Sequence, residues 1–165
     1  MRIKPNLLKG ASGSFHVKNG PKDKWGSKSF VLPELKDGEK YTAYFRARDL
    51  NAITNGNVSC IISNLQEGND LYRFINLKAS KTVSIDFIYK KGRSEKIYFY
   101  PGKAGNAYNC EGTFYNIKLV EGDGDDLYSP CKDDLDPCKQ AIFVAGGGIP
   151  RGVSTLSCQG VGYVS

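Results

Sequence analysis

Histidine, methionine and tryptophan each occur once in the 165 residues. The lone His16 has no motif around it. No Ser–His or Cys–His arrangement is therefore legible, since a nucleophile needs a base beside it. Cysteine occurs five times, an odd number that closes no complete disulfide framework. No cysteine pair has the short spacing of a structural zinc site, and reduced thiols are the expected state. No apolar run reaches the length of a membrane-spanning helix, which argues against membrane insertion. Met1-Arg2-Ile3-Lys4-Pro5 has positive charge but no apolar core behind it, so it does not read as a secretory signal. Gly146-Gly147-Gly148 lacks the Gly-Lys-Ser/Thr ending of a phosphate loop. No segment carries a helical period with caps.

Aromatics are plentiful, with ten Tyr and eight Phe, and they favour strands. Alternation with period two recurs, as in half-buried strands. In Glu39–Leu50, Tyr41, Ala43, Phe45 and Ala47 share one face; Thr42, Tyr44, Arg46 and Arg48 share the other. In Thr82–Lys90, Val83, Ile85, Phe87 and Tyr89 oppose Ser84, Asp86 and Ile88. Ser14–Val17, Ser27–Leu32, Val58–Ser63, Leu71–Leu77, Glu95–Tyr100 and Thr113–Val120 complete eight candidate strands. Asp37-Gly38, Asn55-Gly56 and the run Glu67-Gly68-Asn69-Asp70 read as turns, and Lys91-Gly92 as a tight hairpin between the sixth and seventh strands. This pattern predicts an all-β fold, an eight-stranded antiparallel β-sandwich of the jelly-roll kind over residues 1–130.

The net charge of +6 is unevenly placed. Residues 1–120 hold 20 Lys/Arg and 10 Asp/Glu, whereas residues 121–165 hold 3 and 7. A basic body favours anionic partners, but the cations are scattered singly and no helix with a basic face is legible, so specific nucleic-acid binding is not expected. Asp123, Asp125 and Asp126 are the hard oxygens a calcium ion would take, though the later ligands of an EF-hand loop are missing. Cys60 beside Ile61 reads as a small core residue. Cys131 and Cys138 bracket six residues and could close a small loop only in oxidising surroundings. The Gly-rich stretch 131–165 carries too many apolar groups to leave in water, among them Phe143, Ile149, Leu156 and Tyr163. It is expected to form an extended C-terminal arm that contacts a neighbouring copy in a homo-oligomer, or folds back on its own sandwich.

Several stretches bear a family resemblance. Asn6-Leu7-Leu8-Lys9-Gly10 opens the chain. Leu35 to Ala47 contains Gly38, Tyr41 and Thr42 in a Gly-x-x-Tyr-Thr strand. Ile97-Tyr98-Phe99-Tyr100-Pro101-Gly102 leads to Tyr115-Asn116-Ile117-Lys118-Leu119-Val120-Glu121-Gly122, and then Tyr128-Ser129-Pro130. The order, over about residues 5–130, resembles the carbohydrate-binding-module-like jelly rolls of bacteriophage virion proteins. Tyr128 stands where that family often has Trp, and 131–165 has no counterpart. The resemblance implies a tail, fibre or head-surface protein, made in the host cytoplasm and carried on the virion among other virion proteins, with host surface glycans as possible ligands. A dedicated carbohydrate-binding adhesion module is the alternative.

No catalytic residue is assigned. Carboxylates of a polysaccharide-degrading enzyme need only meet in space, which sequence neither requires nor excludes. The candidate glycan contacts are Trp25, in a polar loop, Tyr44 with Arg46 beside it, and Tyr98 and Tyr100 on one strand face. Sugar rings have apolar C–H faces that stack on exposed aromatic rings, and hydroxyl edges that need polar neighbours.

Overall fold

The structure, a computed structural model, describes residues 3–22, 26–66, 69–76, 82–93, 95–103, 105–124 and 127–136. Eight strands form: β1 (Ser14–Lys18), β2 (Lys28–Val31), β3 (Lys40–Arg48), β4 (Asn57–Gln66), β5 (Asn69–Asn76), β6 (Val83–Ile88), β7 (Lys96–Pro101) and β8 (Glu111–Glu121). Each coincides with one of the eight legible in the sequence. They pair antiparallel in two four-stranded sheets, in the order β1-β8-β3-β6 in the first and β2-β7-β4-β5 in the second. The fold is a jelly-roll β-sandwich. One connection differs from expectation. The Lys91-Gly92 turn is not a hairpin, because β6 and β7 lie in different sheets. The turn carries the chain across the sandwich, and the Asp37 carboxylate accepts from the Lys91 backbone N–H at 2.8 Å.

The core forms where the inner faces meet. Tyr41, Ala43, Phe45 and Ala47 of β3 are buried, as are Ile85 and Phe87 of β6, with Tyr89 just beyond it. Facing them from the second sheet are Val58, Cys60, Ile62, Ile97 and Phe99. Phe99 lies edge-on to Phe45, with centroids 5.0 Å apart, and 5.8 Å from Phe114 of β8. Such packed rings add to the apolar area removed from water. Cys60 is fully buried and packs here as a small apolar residue, and burial pushes its thiol up.

β8 does not keep period two. Opposite β3 the register passes from Tyr44↔Lys118 to Arg46↔Tyr115, so Phe45 faces two residues of β8, Asn116 and Ile117. Asn116 has φ 51, in the left-handed region that Asn tolerates better than most residues. This bulge shifts the phase of the strand. Phe114, Ile117 and Leu119 all point inward and are fully buried, and Tyr115 turns outward.

β1 covers β8 only as far as Tyr115. Beyond it the N-terminal segment takes over, and Asn6 is its anchor. Its Nδ2 donates to the carbonyls of Ile117 (2.9 Å) and Ser129 (3.1 Å). Its Oδ1 accepts from the N–H groups of Leu8 (3.0 Å) and Leu119 (2.9 Å). Leu7 N–H donates to the Leu119 carbonyl at 2.8 Å. Ordered contacts continue past Pro130. Asn6 bridges to Cys131 in parallel, and the Asp134 carboxylate accepts from Gly10 N–H (2.7 Å) and Ser12 Oγ (2.7 Å).

The buried Asn6 amide satisfies four backbone groups at once, so its loss should be costly. Asn6→Ala is expected to destabilise by roughly 2–4 kcal/mol, since buried partners left unmet bear their desolvation penalty. Asn6→Asp at neutral pH should cost at least as much, because an acceptor then faces two carbonyls. Urea denaturation is the measurement, and an Asn6→Ala midpoint equal to wild type would remove the anchor role.

Candidate functional site

The outer face of the first sheet is made by Thr42, Tyr44, Arg46 and Arg48 of β3, by Thr113, Tyr115, Lys118 and Val120 of β8, and by Ser14, His16 and Lys18 of β1. The segment after β8 closes over one half of it. Thr42 Oγ1 donates to the Gly122 carbonyl at 2.7 Å. Tyr44 Oη donates to the Gly124 carbonyl at 2.9 Å and accepts from Gly124 N–H at 3.2 Å. Lys118 Nζ donates to the Leu127 carbonyl at 2.6 Å. Thr42 and Lys118 are consequently buried although they point outward. Tyr44 is half-buried and acts as a strut for this segment rather than as an open stacking ring.

The other half carries a different group of side chains. Tyr115 is half-buried, with the Arg48 guanidinium 4.9 Å and the Arg46 guanidinium 5.8 Å from its ring centroid. Both lie in the range of cation–π attraction. Arg48 Nη2 reaches Ser14 Oγ at 3.5 Å, and its Nε lies 3.5 Å from Asp49 Oδ2. Beside them, His16 joins two residues of the neighbouring strand. Its Nε2 is 2.8 Å from Glu111 Oε1 and its Nδ1 is 3.0 Å from Thr113 Oγ1. Lys18 Nζ lies 3.6 Å from the other Glu111 oxygen. The hydrogen bond from His16, with the charge of Lys18 beside it, holds the Glu111 carboxyl below its usual range. The result is a strip of planar and hydrogen-bonding groups on a rigid sheet.

The five expected glycan contacts do not converge. Tyr44 and Arg46 are on the outer face of the first sheet. Tyr98 and Tyr100 are on the outer face of the second, where Tyr98 pairs with Ile61 and Tyr100 with Ser59. Tyr100 is only 1% exposed, so it offers no stacking face, and Tyr98 is half-buried. Trp25 lies outside the described residues. Of the acidic run, Asp123 is bound to Lys40, which holds its carboxyl below the usual range. Asp125 and Asp126 lie outside the described residues, and among the described residues no three His, Cys, Asp or Glu side chains come together. Phe143, Ile149, Leu156 and Tyr163 also lie outside them, as does Cys138.

Sequence reasoning missed Tyr115 and passed over His16. The signal for Tyr115 was the spacing of Phe114, Ile117 and Leu119, which breaks period two at an Asn. For His16 no local signal exists, because its partners lie 95 and 97 positions away.

No family model matches the chain, and no curated protein matches it. Solved structures similar to this chain include carbohydrate-binding modules and a phage tailspike domain. A family 29 carbohydrate-binding module complexed with mannohexaose is 11% identical, with a TM-score of 0.47 over 83% of this chain and 99% of that one. The CBM22-1 xylan-binding domain from Paenibacillus barcinonensis Xyn10C is 10% identical, with a TM-score of 0.46 over 76% and 99%. The enzymatically active domain of bacteriophage CBA120 tailspike protein 4 is 13% identical, with a TM-score of 0.46. There 71% of this chain is covered but only 21% of the tailspike, so this chain spans about a fifth of that protein. At these identities and scores no residue role or ligand is carried over from any of them.

The lowered Glu111 carboxyl has a consequence for stability. A group whose folded pKa is depressed contributes stability above its unfolded pKa, and that contribution is lost as pH falls through the folded value. Glu111→Gln should therefore flatten the loss of stability between about pH 5 and pH 3. Urea midpoints across that range are the measurement, and parallel curves for the two proteins would assign the pair no role.

Proposed function

We propose that this domain binds carbohydrate without cleaving it, and that its contact surface is the open half of the outer face of the first sheet. The stack of Tyr115 with the Arg46 and Arg48 guanidiniums carries this reading. It presents flat groups on a scaffold that cannot collapse, next to the polar network of His16, Thr113 and Glu111. A sugar needs both, flat surface for its C–H faces and hydrogen-bonding groups for its hydroxyls. Strands lie about 4.8 Å apart, so β3, β8 and β1 span about 10 Å between their axes. That width suits a short stretch of a glycan lying across the strands.

The reading gives binding precedence over a structural role alone, the reverse of the order the sequence favoured. It also keeps the domain non-catalytic. Glycoside hydrolysis uses a pair of carboxyls, one with a raised pKa to act as acid. On this strip Glu111 is shifted the opposite way. As the sequence resemblance implies, the setting we propose is a bacteriophage particle. Antibody-labelled electron microscopy should then decorate purified virions, and bare particles beside labelled lysate protein would remove that setting.

For the binding itself, calorimetry against a panel of bacterial and plant polysaccharides is the experiment. Tyr115→Ala is expected to weaken binding by about tenfold or more, which is 1.4 kcal/mol or above. The melting temperature should move by only a few degrees, because this ring is half-buried on an outer face. If no glycan binds at millimolar concentration, or if Tyr115→Ala binds as well as wild type, the proposal fails.

A further inference from the structure

The open strip ends where β3 leaves the sheet and β8 enters it, and one residue ties these two ends together. Asn51 stands three residues past Arg48. Its Oδ1 accepts from the N–H groups of Thr54 at 3.1 Å and Glu111 at 3.3 Å, and from the Thr54 hydroxyl. Its Nδ2 donates to the Asn109 carbonyl at 2.8 Å, and its backbone N–H donates to the Glu111 carbonyl at 3.1 Å. The hydroxyl of the buried Thr54 accepts in turn from Glu111 N–H at 3.3 Å. Both backbone polar groups of Glu111 are thus held by this one turn. The backbone on either side is strained. Asp49 has φ 54 and Asn109 has φ 55, left-handed values that residues with a side chain adopt at a cost. Such strain persists only where the surroundings over-determine it, and it collects at functional sites.

From this we infer, building on the carbohydrate reading above, that Asn51 is a positioning residue of the strip, setting through Glu111 the groups that meet a sugar's hydroxyls. Glu111 opens β8, and its carboxylate joins the members of the polar network. One oxygen takes His16 Nε2 at 2.8 Å, and the other lies 3.6 Å from Lys18 Nζ. His16 also reaches Thr113 Oγ1 at 3.0 Å, and Thr113 pairs with Arg48 across the β3–β8 ladder. A shift of the Glu111 backbone would carry its carboxylate off the imidazole, because hydrogen bonds weaken steeply as their angle and distance degrade. Recognition of hydroxyls gains most from groups already in place, since ordering them during binding costs affinity. Asn51 supplies that order in the free protein, from a turn that lies outside the strip.

The test uses the full chain and two readouts. The first is the titration of the Glu111 carboxyl, followed by carbon-13 NMR. In the wild type this group sits below its usual range, held there first by the His16 hydrogen bond. Asn51→Ala should raise it toward the ordinary carboxylate value as that bond is lost. The second is calorimetry with plant xylan and bacterial dextran, and with whichever other member of the panel the wild type binds most tightly. Asn51→Ala should weaken binding by about fivefold or more. Thr54→Val keeps the side-chain shape and removes the hydroxyl between Asn51 and Glu111. It should shift both readouts in the same direction by less, and it stands in for Asn51→Ala should that protein not fold. Phe87→Leu trims the core at β6 and lowers stability away from this turn, so it should leave both readouts at wild-type values. An Asn51 variant with wild-type titration or wild-type affinity would overturn the inference and leave the carbohydrate reading standing. So would a Phe87→Leu protein that reproduces the same shifts. A wild type that binds no member of the panel would remove both.

Discussion

A single buried carboxamide ties the N-terminal segment and the segment after β8 to that strand. Asn6 offers two donors and an acceptor with two lone pairs, and all four positions are filled by backbone groups of three separate segments. Strand β8 is central to the first sheet, yet β1 leaves its second half uncovered on one side. Without Asn6 and Leu7 that edge would expose unpaired N–H and C=O groups. The same side chain reaches Ser129, so the chain end returning from β8 is drawn in beside the segment that begins it. An Asn at this position therefore does the work of a short strand. No apolar residue could replace it, because the groups it meets are polar and buried.

The clamp and the candidate site are linked through β8. Asn6 grips the strand at Ile117 and Leu119, just past the bulge at Asn116. An extra residue in a strand flips every later side chain to the other face. Here the bulge keeps Phe114 and Ile117 in the core together, three positions apart, and leaves Tyr115 outside between Arg46 and Arg48. Holding the register on the far side of the bulge fixes that arrangement. The position of one outward-facing ring thus follows from the burial of its neighbours on either side.

The sandwich was largely legible because burying one face of a strand demands period two, and β3 and β6 obey it without interruption. Alternation says which way a side chain points but not what lies over it. Tyr44 does point away from the core, yet residues 122–124 cover it, about 80 positions along the chain. Tyr100 shares a face with Tyr98 as expected, but that face is closed at the Ser59 end, where Ser59 is itself 1% exposed. Turn chemistry has the same limit. Lys91-Gly92 reverses the chain as its residues suggest, but nothing local says which sheet the next strand will join. His16 illustrates the general case, since its meaning comes entirely from residues that strand pairing brings beside it.

Charge explains why one half of the outer face is closed. The sequence sets a basic body against an acidic stretch that follows β8, and in the folded chain the beginning of that stretch returns to the body. Lys36 pairs with Glu121 at 3.2 Å, and Lys40 with Asp123. Lys4 donates to the carbonyls of both Glu121 and Asp123. Each of these contacts is exposed and weak alone, but together they lie at one end of β3 and β8, and they carry the segment across Thr42, Tyr44 and Lys118. At the opposite end no such segment returns among the described residues. There the guanidiniums of Arg46 and Arg48 rest on Tyr115, with Asp49 beside Arg48. Cations of one sequence region thus have two fates set by position along the strands, as straps at one end and as a presented surface at the other.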